Sequence, residues 1–234
     1  MMKLGILKTD DVRPEWVEKF GEYPDMFATL LRQVDPDLKI QVYEVQLGQY
    51  PKTIDEVDAY LITGSKASVY EDKDWIHQLA EFVRQLSSAR KKMVGICFGH
   101  QLIAHALGGK TEKSAKGWGV ARHTVALTDN AGHLAEVGTP FSILVSHQDQ
   151  VTAPAVGAQI LASSEFCPMA MCQLDDYMLS FQGHPEFTPD YSQALLDLRR
   201  ETYGKELYKE GVKSLNLPID QQLVAGWIMD FIRS

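Results

Sequence analysis

The sequence predicts a three-layer α/β fold, in which helices cover both faces of an open, mostly parallel β-sheet. Short apolar runs of strand length alternate with longer segments whose apolar residues recur at the helical period, and this alternation favours a parallel sheet. The 234 residues are enough for one large α/β domain or two small ones. The sequence contains no clear interdomain linker, repeat or low-complexity segment. We therefore expect a single domain over residues 1–234.

The first part of the chain carries the alternating pattern. Apolar residues at a helical spacing predict a helix over 74–90, and a further helix is expected over 24–34. The short apolar runs around them predict strands at residues 4–7, 40–45, 59–63 and 93–97. In open α/β sheets, sites form beyond the carboxyl ends of the strands, so polar residues that follow these runs are candidate site residues.

The pattern changes after a predicted helix over 99–107, which Gly108 and Gly109 should end. Closely spaced strand-like runs then suggest a small antiparallel patch, at residues 123–127, 142–145, 159–162, 169–174 and 178–181. From Pro189 the chain reads as mostly helical, with helices expected over 190–203 and 219–232. We divide the predicted domain into a core over about 1–188 and a helical C-terminal extension over about 189–234.

Composition and charge exclude several classes of function. A net charge of −8 argues against non-specific binding to nucleic acid, because no basic field would attract phosphates. No apolar run reaches the length of a membrane span, and the first residues lack the layout of a signal peptide. Three cysteines, an odd number, do not suggest a disulfide framework. We expect a cytoplasmic protein with neither nucleic acid nor membrane as a partner.

A cysteine between two glycines is the most informative feature of the chain. Residues 93–101 read as a buried strand, then Gly-x-Cys-x-Gly, then a helix, which is the nucleophile-elbow pattern with sulfur in place of a serine hydroxyl. Such a turn strains the backbone, and a Cβ at Gly95 or Gly99 would crowd it. The turn also places the thiol at a helix N-terminus, which favours thiolate. We predict that Cys97 is a nucleophile rather than a small buried hydrophobe.

A nucleophile of this kind needs a base, and the base needs a group that orients it. Pro185 biases His184 toward an extended backbone. In an extended segment, residues two apart face the same side, so His184 and Glu186 can meet. We predict that His184 is the base and that Glu186 holds its imidazole in the tautomer that accepts a proton from Cys97. The alternative for Glu186 is a surface glutamate that follows a proline.

The other cysteines and histidines are interpreted as structural. No spacing of His, Cys, Asp and Glu suggests a metal site, and we expect no metal or organic cofactor. Residues expected in the core or in a loop are Cys167 and Cys172. Histidines expected to pack or to form hydrogen bonds on the elbow helix are His100 and His105. Histidines expected at the surface are His77, His123 and His133.

Taken together, these motifs resemble the class I (triad-type) glutamine amidotransferases. More narrowly, they are similar to the glutaminase domain of GMP synthase and its stand-alone relatives. The resemblance runs from the first strand to about Glu186 and implies a flavodoxin-like fold. The matching segments are Gly95-Ile96-Cys97-Phe98-Gly99-His100-Gln101, His184-Pro185-Glu186, Thr63-Gly64-Ser65 and Ser146-His147-Gln148-Asp149.

An oxyanion hole needs backbone N–H donors aimed at the carbonyl oxygen that gains charge. The N–H of Phe98, directly after the nucleophile, is one candidate. The resemblance implies that the second donor comes from the loop with Gly64 and Ser65. Many relatives carry two glycines and then proline where this chain has Gly64, Ser65 and Lys66. That departure concerns the geometry of the loop; the alternative is a plain strand-to-loop turn.

Substrate-binding residues are also implied by the resemblance. Gln101 lies one turn beyond Cys97 and can face the same cleft. The resemblance implies that Gln101, Ser146 and His147 bind the amino-acid part of the substrate, the loop at 146–149 chiefly through its backbone. The alternative is a glutamine on the helix surface and an ordinary polar turn.

The resemblance implies that a thiolate attacks the side-chain amide of glutamine and forms a γ-glutamyl thioester, which water then releases as glutamate. Three interpretations remain open: an amidotransferase that gives ammonia to a separate synthetase, a free-standing hydrolase of γ-glutamyl amides or peptides, and a non-catalytic regulatory module. The chain lacks a P-loop motif and is too short for the ATP-pyrophosphatase domain of a full GMP synthase. The expected ligand is L-glutamine or another γ-glutamyl compound, and the possible protein partner is a synthetase or acceptor subunit.

Overall fold

The computed structural model describes residues 2–234 and contains a nine-stranded mixed sheet, a separate two-stranded sheet and eight α-helices. The strands are β1 Lys3–Lys8, β2 Lys39–Glu44, β3 Ala59–Ile62, β4 Met93–Ile96, β5 Lys110–Lys113, β6 Gly119–Leu127, β7 Pro140–His147, β8 Asp149–Ala153, β9 Gln159–Ser163, β10 Met171–Leu174 and β11 Met178–Phe181. The helices are α1 Pro14–Phe20, α2 Tyr23–Leu31, α3 Asp74–Ser88, α4 Phe98–Ala106, α5 Pro189–Leu198, α6 Arg200–Tyr203, α7 Lys205–Ser214 and α8 Gln221–Arg233.

The main sheet has the strand order β2-β1-β3-β4-β11-β10-β9-β6-β7. Its first five strands run parallel, and the remaining strands continue the same sheet with antiparallel pairing. Strands β5 and β8 form the separate antiparallel pair. The predicted α/β class, with a mostly parallel sheet and an antiparallel patch, is confirmed.

Helices cover both faces of the sheet because its central strands are apolar on both sides. In β3, Leu61 belongs to the core that includes Phe27 of α2 and Ile228 of α8. Its neighbours in the strand, Tyr60 and Ile62, belong to the core formed with α3 and α4. Successive side chains of a strand point to opposite faces, so burial on both faces gives the continuous apolar run read from the sequence.

The C-terminal helices contribute to the packed body of the protein. Helix α8 packs beside α2 and buries its apolar side in the same core. Helix α5 buries Leu195 near the aromatic side chains of α1 and α2, and α7 packs against β6. Within residues 2–234, no helix is both long and apolar enough to span a membrane.

Several elements differ from the sequence expectations. Four elements were not predicted: β5, β8, α1 and α7. Strand β5, with the sequence Lys-Thr-Glu-Lys, lacks an apolar run, and helix α1 is short. The helix expected over 190–203 breaks at Arg199, whose φ of −106° and ψ of 17° separate α5 from α6. His123, expected at the surface, is half-buried with its ring centroid 4.9 Å from that of Phe166.

Candidate active site

Three neighbouring parallel strands end together and deliver the predicted site residues to one edge of the sheet. Ile62 of β3 pairs with Gly95 of β4, and Ile96 pairs with Phe181 of β11. The loop at 63–66, Cys97 and the segment 182–186 follow these strand ends directly. Their meeting point is therefore fixed by the register of the sheet.

Cys97 occupies the sharp turn between β4 and α4, with φ 50° and ψ −97°. A conformation of this kind costs an L-residue about 1–3 kcal/mol and persists only where the surroundings enforce it. Two backbone contacts enforce it here: Cys97 N–H donates to the Phe181 carbonyl at 2.8 Å, and Gln101 N–H donates to the Cys97 carbonyl at 3.0 Å.

The glycines on either side of Cys97 are required by close backbone approach. A Cβ at Gly95 would lie 2.6 Å from the carbonyl oxygen of Gly99. A Cβ at Gly99 would lie 2.6 Å from the carbonyl oxygen of Ile62. Because backbone atoms cannot swing aside as a flexible side chain does, a larger residue at Gly95 would push α4 away from β4, and one at Gly99 would push α4 away from β3.

His184 and Glu186 form a buried pair beside the elbow. The imidazole Nδ1 lies 2.8 Å from Glu186 Oε1, and the two side chains are 5% and 0% exposed. The His184 N–H donates to the Leu144 carbonyl at 2.7 Å, and the ring stacks on Phe187 with centroids 3.9 Å apart. With Nδ1 on the carboxylate, the Nε2 side of the ring is available for chemistry at Cys97.

The charges around His184 favour its protonated form. Burial alone lowers the pKa of His184, but the Glu186 carboxylate and the Cys97 thiolate outweigh burial and raise the pKa to about 10. The structure therefore favours the imidazolium form of His184 at neutral pH.

The loop that follows β3 lies over both reacting side chains. A Cβ at Gly64 would stand 2.7 Å from His184 Cε1 and 3.6 Å from Cys97 Cβ. Ser65 does not have a positive φ, so a serine fits at this position without glycine's extra freedom. The N–H groups of Gly64, Ser65 and Phe98 remain the candidate oxyanion donors.

Two polar residues of the loop after β1 hold the candidate oxyanion loop. Thr9 Oγ1 donates to the Gly64 carbonyl at 2.8 Å. The carboxylate of Asp10 accepts from Lys66 N–H at 2.9 Å and from Lys66 Nζ at 2.8 Å. Lys66, unlike a proline, thus has a backbone donor that Asp10 uses. Sequence reasoning missed Asp10, and nothing in its local pattern marks it.

A chain of amide side chains leads from the substrate loop to the thiol. Gln101 Nε2 donates to the Asp149 carbonyl at 2.9 Å and to Gln182 Oε1 at 3.1 Å. Gln182 Nε2 in turn donates to Cys97 Sγ at 3.6 Å. Gln101 lines the cavity as expected, but its donors fix the loop rather than standing free for the substrate. Sequence reasoning missed Gln182, which lies in the bend between β11 and His184.

Cys97 and His184 line a cavity of about 570 Å³. The segment 146–149 lines it, and the Asp149 carboxylate accepts from Ser68 Oγ at 2.5 Å. Ser146 Oγ accepts from Arg199 Nη1 at 2.8 Å. Burial lowers the pKa of His147 to about 3, so its ring is neutral, with Nδ1 3.1 Å from the Asp149 carbonyl.

Two further wall residues escaped sequence reasoning. Trp118 lies between two glycines, and the break between α5 and α6 brings Arg199 against its ring. Both line the cavity. In residues 2–234, no group of three or more His, Cys, Asp or Glu side chains is placed to hold a metal ion.

Comparison with known proteins identifies the family. The family model for glutamine amidotransferase class-I matches residues 23–198. The chain belongs to the class I glutamine amidotransferase family. It is therefore related to enzymes, and the resemblance recognised from the motifs is confirmed.

The relatives cover most of the chain. A glutamine amidotransferase-like protein of Schizosaccharomyces pombe is 32% identical over 98% of this chain and 98% of that protein. Gamma-glutamyl peptidase 3 of Arabidopsis thaliana is 32% identical over 78% of this chain and 76% of that protein. One of the subunits of the glutamine-hydrolyzing GMP synthase of Sulfolobus acidocaldarius is 35% identical over 56% of this chain and 68% of that protein.

A solved structure shares the fold. The glutamine amidotransferase of Methylobacillus flagellatus superposes with a TM-score of 0.78 at 17% identity, over 99% of this chain and 92% of that chain. At this identity the likeness concerns the fold, which here includes the C-terminal helices.

Proposed function

We propose that this protein hydrolyses the side-chain amide of glutamine through a γ-glutamyl thioester on Cys97. The observation that carries the proposal is the meeting of the strained Cys97 turn with the buried His184–Glu186 pair at one cavity. Residues 1–234 act as one catalytic domain. The proposed reaction needs a reduced Cys97 thiol. All three cysteines are free, and a reducing compartment such as the cytoplasm keeps thiols in that state.

In the proposed reaction, Cys97 attacks as a thiolate beside a protonated His184. Cys97 Sγ attacks the amide carbon, and the carbonyl electrons move to the oxygen, where the N–H groups of Phe98 and the 64–65 loop stabilise the charge. The intermediate collapses, the C–N bond breaks, and His184 gives its proton to the departing ammonia. A thioester joins the γ-glutamyl group to Cys97.

Hydrolysis repeats these steps with water as the nucleophile. His184, now neutral, accepts a proton from water while the hydroxyl oxygen attacks the thioester carbon. The C–S bond breaks, and Cys97 returns to thiolate as glutamate leaves. Glu186 keeps Nδ1 protonated throughout and compensates the charge on the ring each time it forms.

The amino-acid end of the substrate lies near the 146–149 loop. Asp149 supplies a carboxylate in the cavity wall, suited to the α-ammonium group of a γ-glutamyl compound. Gln101 positions Asp149 through its main chain, and the loop of Ser146 and His147 supplies backbone groups. Gln101, Ser146 and His147 therefore contribute to binding mainly by fixing the position of the 146–149 loop.

A second candidate function is supported by the size of the cavity. A volume of about 570 Å³ lies in the range that holds a drug-sized ligand and exceeds what glutamine fills. The wall also includes the apolar side chains of Trp16, Tyr23 and Leu195, which offer contacts to a larger leaving group. Hydrolysis of γ-glutamyl peptides by the same thioester chemistry is this second candidate, in keeping with the names of the Arabidopsis relatives.

The fate of the ammonia separates the two candidates. An amidotransferase gives ammonia to an acceptor protein, in keeping with the relative that forms part of a GMP synthase. Such a protein should turn over glutamine slowly when alone and faster with its partner. A peptidase should cleave γ-glutamyl dipeptides without a partner.

The test is a substrate comparison on the purified protein. Release of glutamate from glutamine, γ-glutamylglycine and a γ-glutamyl anilide is measured with and without cell extract, using Cys97→Ala as the blank. Glutamine turnover stimulated by extract supports the amidotransferase, and faster turnover of the dipeptide supports the peptidase. If no substrate is cleaved under any condition while Cys97 remains alkylatable, thioester hydrolysis is refuted.

A further inference from the structure

Arg199 is a fixed cation in the wall of the active-site cavity. Its side chain reaches the cavity from the break between α5 and α6. Nη1 donates to Ser146 Oγ at 2.8 Å and to Tyr203 Oη at 3.4 Å, and the guanidinium carbon stands 5.5 Å from the centroid of Trp118. The Trp118 and Tyr203 rings pack together, with centroids 5.3 Å apart. The guanidinium is therefore held at one place rather than swinging in solvent.

No carboxylate neutralises this guanidinium. Within residues 2–234, no Asp or Glu oxygen lies within 4.0 Å of it. Two other cations of the cavity wall do have partners: Lys66 pairs with Asp10 at 2.8 Å, and Arg13 pairs with Glu15 at 2.6 Å. Lys113 has no such partner either, but it is exposed, whereas Arg199 is half-buried.

Both anchors of Arg199 are neutral, so they orient the guanidinium without satisfying its charge. A guanidinium carries five N–H donors in a planar fork that matches a carboxylate. The contacts to Ser146 and Tyr203 both use Nη1, which leaves donors on Nη2 and Nε for another acceptor. A half-buried cation with spare donors, facing a cavity for an amino-acid substrate, fits an anionic group of that substrate.

We propose that Arg199 is the receptor for a carboxylate of the substrate, presented by the C-terminal helices and aligned by Ser146 and Trp118. This inference rests on the proposed γ-glutamyl chemistry and names a specificity residue for it. The carboxylate has two possible sources. One is the α-carboxylate of the γ-glutamyl group, and the other is the carboxylate of an amino-acid leaving group.

Binding to an inactive protein tests the receptor without relying on turnover. In the Cys97→Ala background, calorimetry measures the Kd of γ-glutamylglycine, which has both carboxylates, and of γ-glutamylglycinamide, which keeps the α-carboxylate alone. Arg199→Ala should weaken γ-glutamylglycine by about 10–100-fold, the usual effect of losing a charged hydrogen-bonding partner. Equal weakening of both ligands assigns the α-carboxylate. Weakening of γ-glutamylglycine alone assigns the leaving-group carboxylate.

Matched variants separate recognition from folding. Arg200→Ala removes the adjacent arginine, which is exposed, stands 4.8 Å from the Tyr208 ring and does not line the cavity. It should leave both Kd values within about twofold. Arg199→Lys keeps the charge but loses the fork, so it should recover part of the affinity. Melting temperatures of all variants show whether the fold is retained.

Three results overturn the inference or its premise in distinguishable ways. If folded Arg199→Ala binds both ligands as tightly as its parent, Arg199 is not a carboxylate receptor, whatever the activity of the wild type. If wild type cleaves γ-glutamyl substrates but the Arg199→Ala, Arg199→Lys and Arg200→Ala variants keep the same KM, the chemistry stands and the receptor fails. If the parent binds neither ligand and wild type cleaves nothing, both the proposed function and the receptor fail.

Discussion

Replacing Glu186 with glutamine tests the charge arrangement of the site. One carboxylate oxygen lies 2.8 Å from His184 Nδ1, and the other, Oε2, is buried without a hydrogen-bond partner. A glutamine can keep its carbonyl oxygen on Nδ1 and put its amide nitrogen at the unpartnered position. Glu186→Gln therefore removes a charge while keeping the shape of the site.

The expected loss follows from what Glu186 does to His184. Burial lowers the pKa of His184, and the carboxylate is the first of the charges that raise it to about 10. Without that charge, burial dominates and the imidazolium loses its main support. We expect Glu186→Gln to lower kcat by roughly 10²–10⁴-fold, in line with the removal of the orienting carboxylate in other triads. The variant should still fold, because an unpartnered buried amide costs about 1–3 kcal/mol.

Two assays read this prediction independently. Timed release of glutamate gives kcat and KM, and the imidazole NMR signals of His184 report its protonation directly. At pH 8 wild type should show an imidazolium and Glu186→Gln a neutral ring. A variant with kcat within about twofold of wild type, or with an unchanged imidazolium, would refute the reasoning and leave Glu186 as a structural residue.

The raised pKa of His184 also makes the stability of the fold depend on pH. The pKa of His184 rises from 6.5 to about 10 on folding. A raised pKa stabilises the native state fully below the unfolded value near 6.5, and that contribution is lost as pH rises through the folded value near 10. Wild type should therefore melt at lower temperature as pH is raised from about 7 to 10. Glu186→Gln should show a flatter profile over this window.

The remaining predictions concern the elbow and the substrate loop. Cys97→Ala should abolish turnover and labelling by a glutamine-like diazoketone; labelling at another cysteine of the wild type would contradict the assignment. Gly99→Ala should lower the melting temperature by several degrees, because its Cβ would lie 2.6 Å from a backbone oxygen and overpacking costs about 1–3 kcal/mol, whereas Gly226→Ala, with nothing within 4 Å, should not. Gln101→Ala should lower kcat/KM for glutamine by about 10–100-fold while Cys97 still reacts with iodoacetamide. Asp10→Ala should lower kcat more than it raises KM, and an unchanged kcat would exclude Asp10 from positioning the oxyanion loop.

The elbow could be predicted from sequence because its requirements are local. A strand, two glycines around a cysteine and a helix determine the turn almost without reference to the rest of the chain. The contact between His184 and Glu186 is also local, but the expected extended segment is wrong: Pro185 and Glu186 lie in a turn, which brings the two side chains together. The α/β class was predicted separately, from the alternation of strand-like and helical segments.

Other parts of the site depend on contacts between distant segments. Asp10 reaches Lys66 across 56 positions of sequence, and Arg199 reaches Ser146 across 53. Neither partner has a local pattern that differs from an ordinary surface residue. The break at Arg199 was missed for a similar reason, since residues 190–203 are compatible with one helix and tertiary packing divides them.

The groups that break the bond and the groups that face the rest of the substrate come from different elements. For this reason the chemistry is easier to infer from the sequence than the substrate. The groups that break the bond stand at the ends of β3, β4 and β11, where strand register fixes their mutual distances. The groups that face the rest of the substrate come from α1, α2, the Gly117–Gly119 turn and the α5–α6 junction. These elements lie outside the three strand ends that carry Cys97, the 63–66 loop and His184; α1, for example, packs its Trp16 ring against Tyr191 of α5. Substrate choice therefore depends on a wall that the catalytic motifs do not determine.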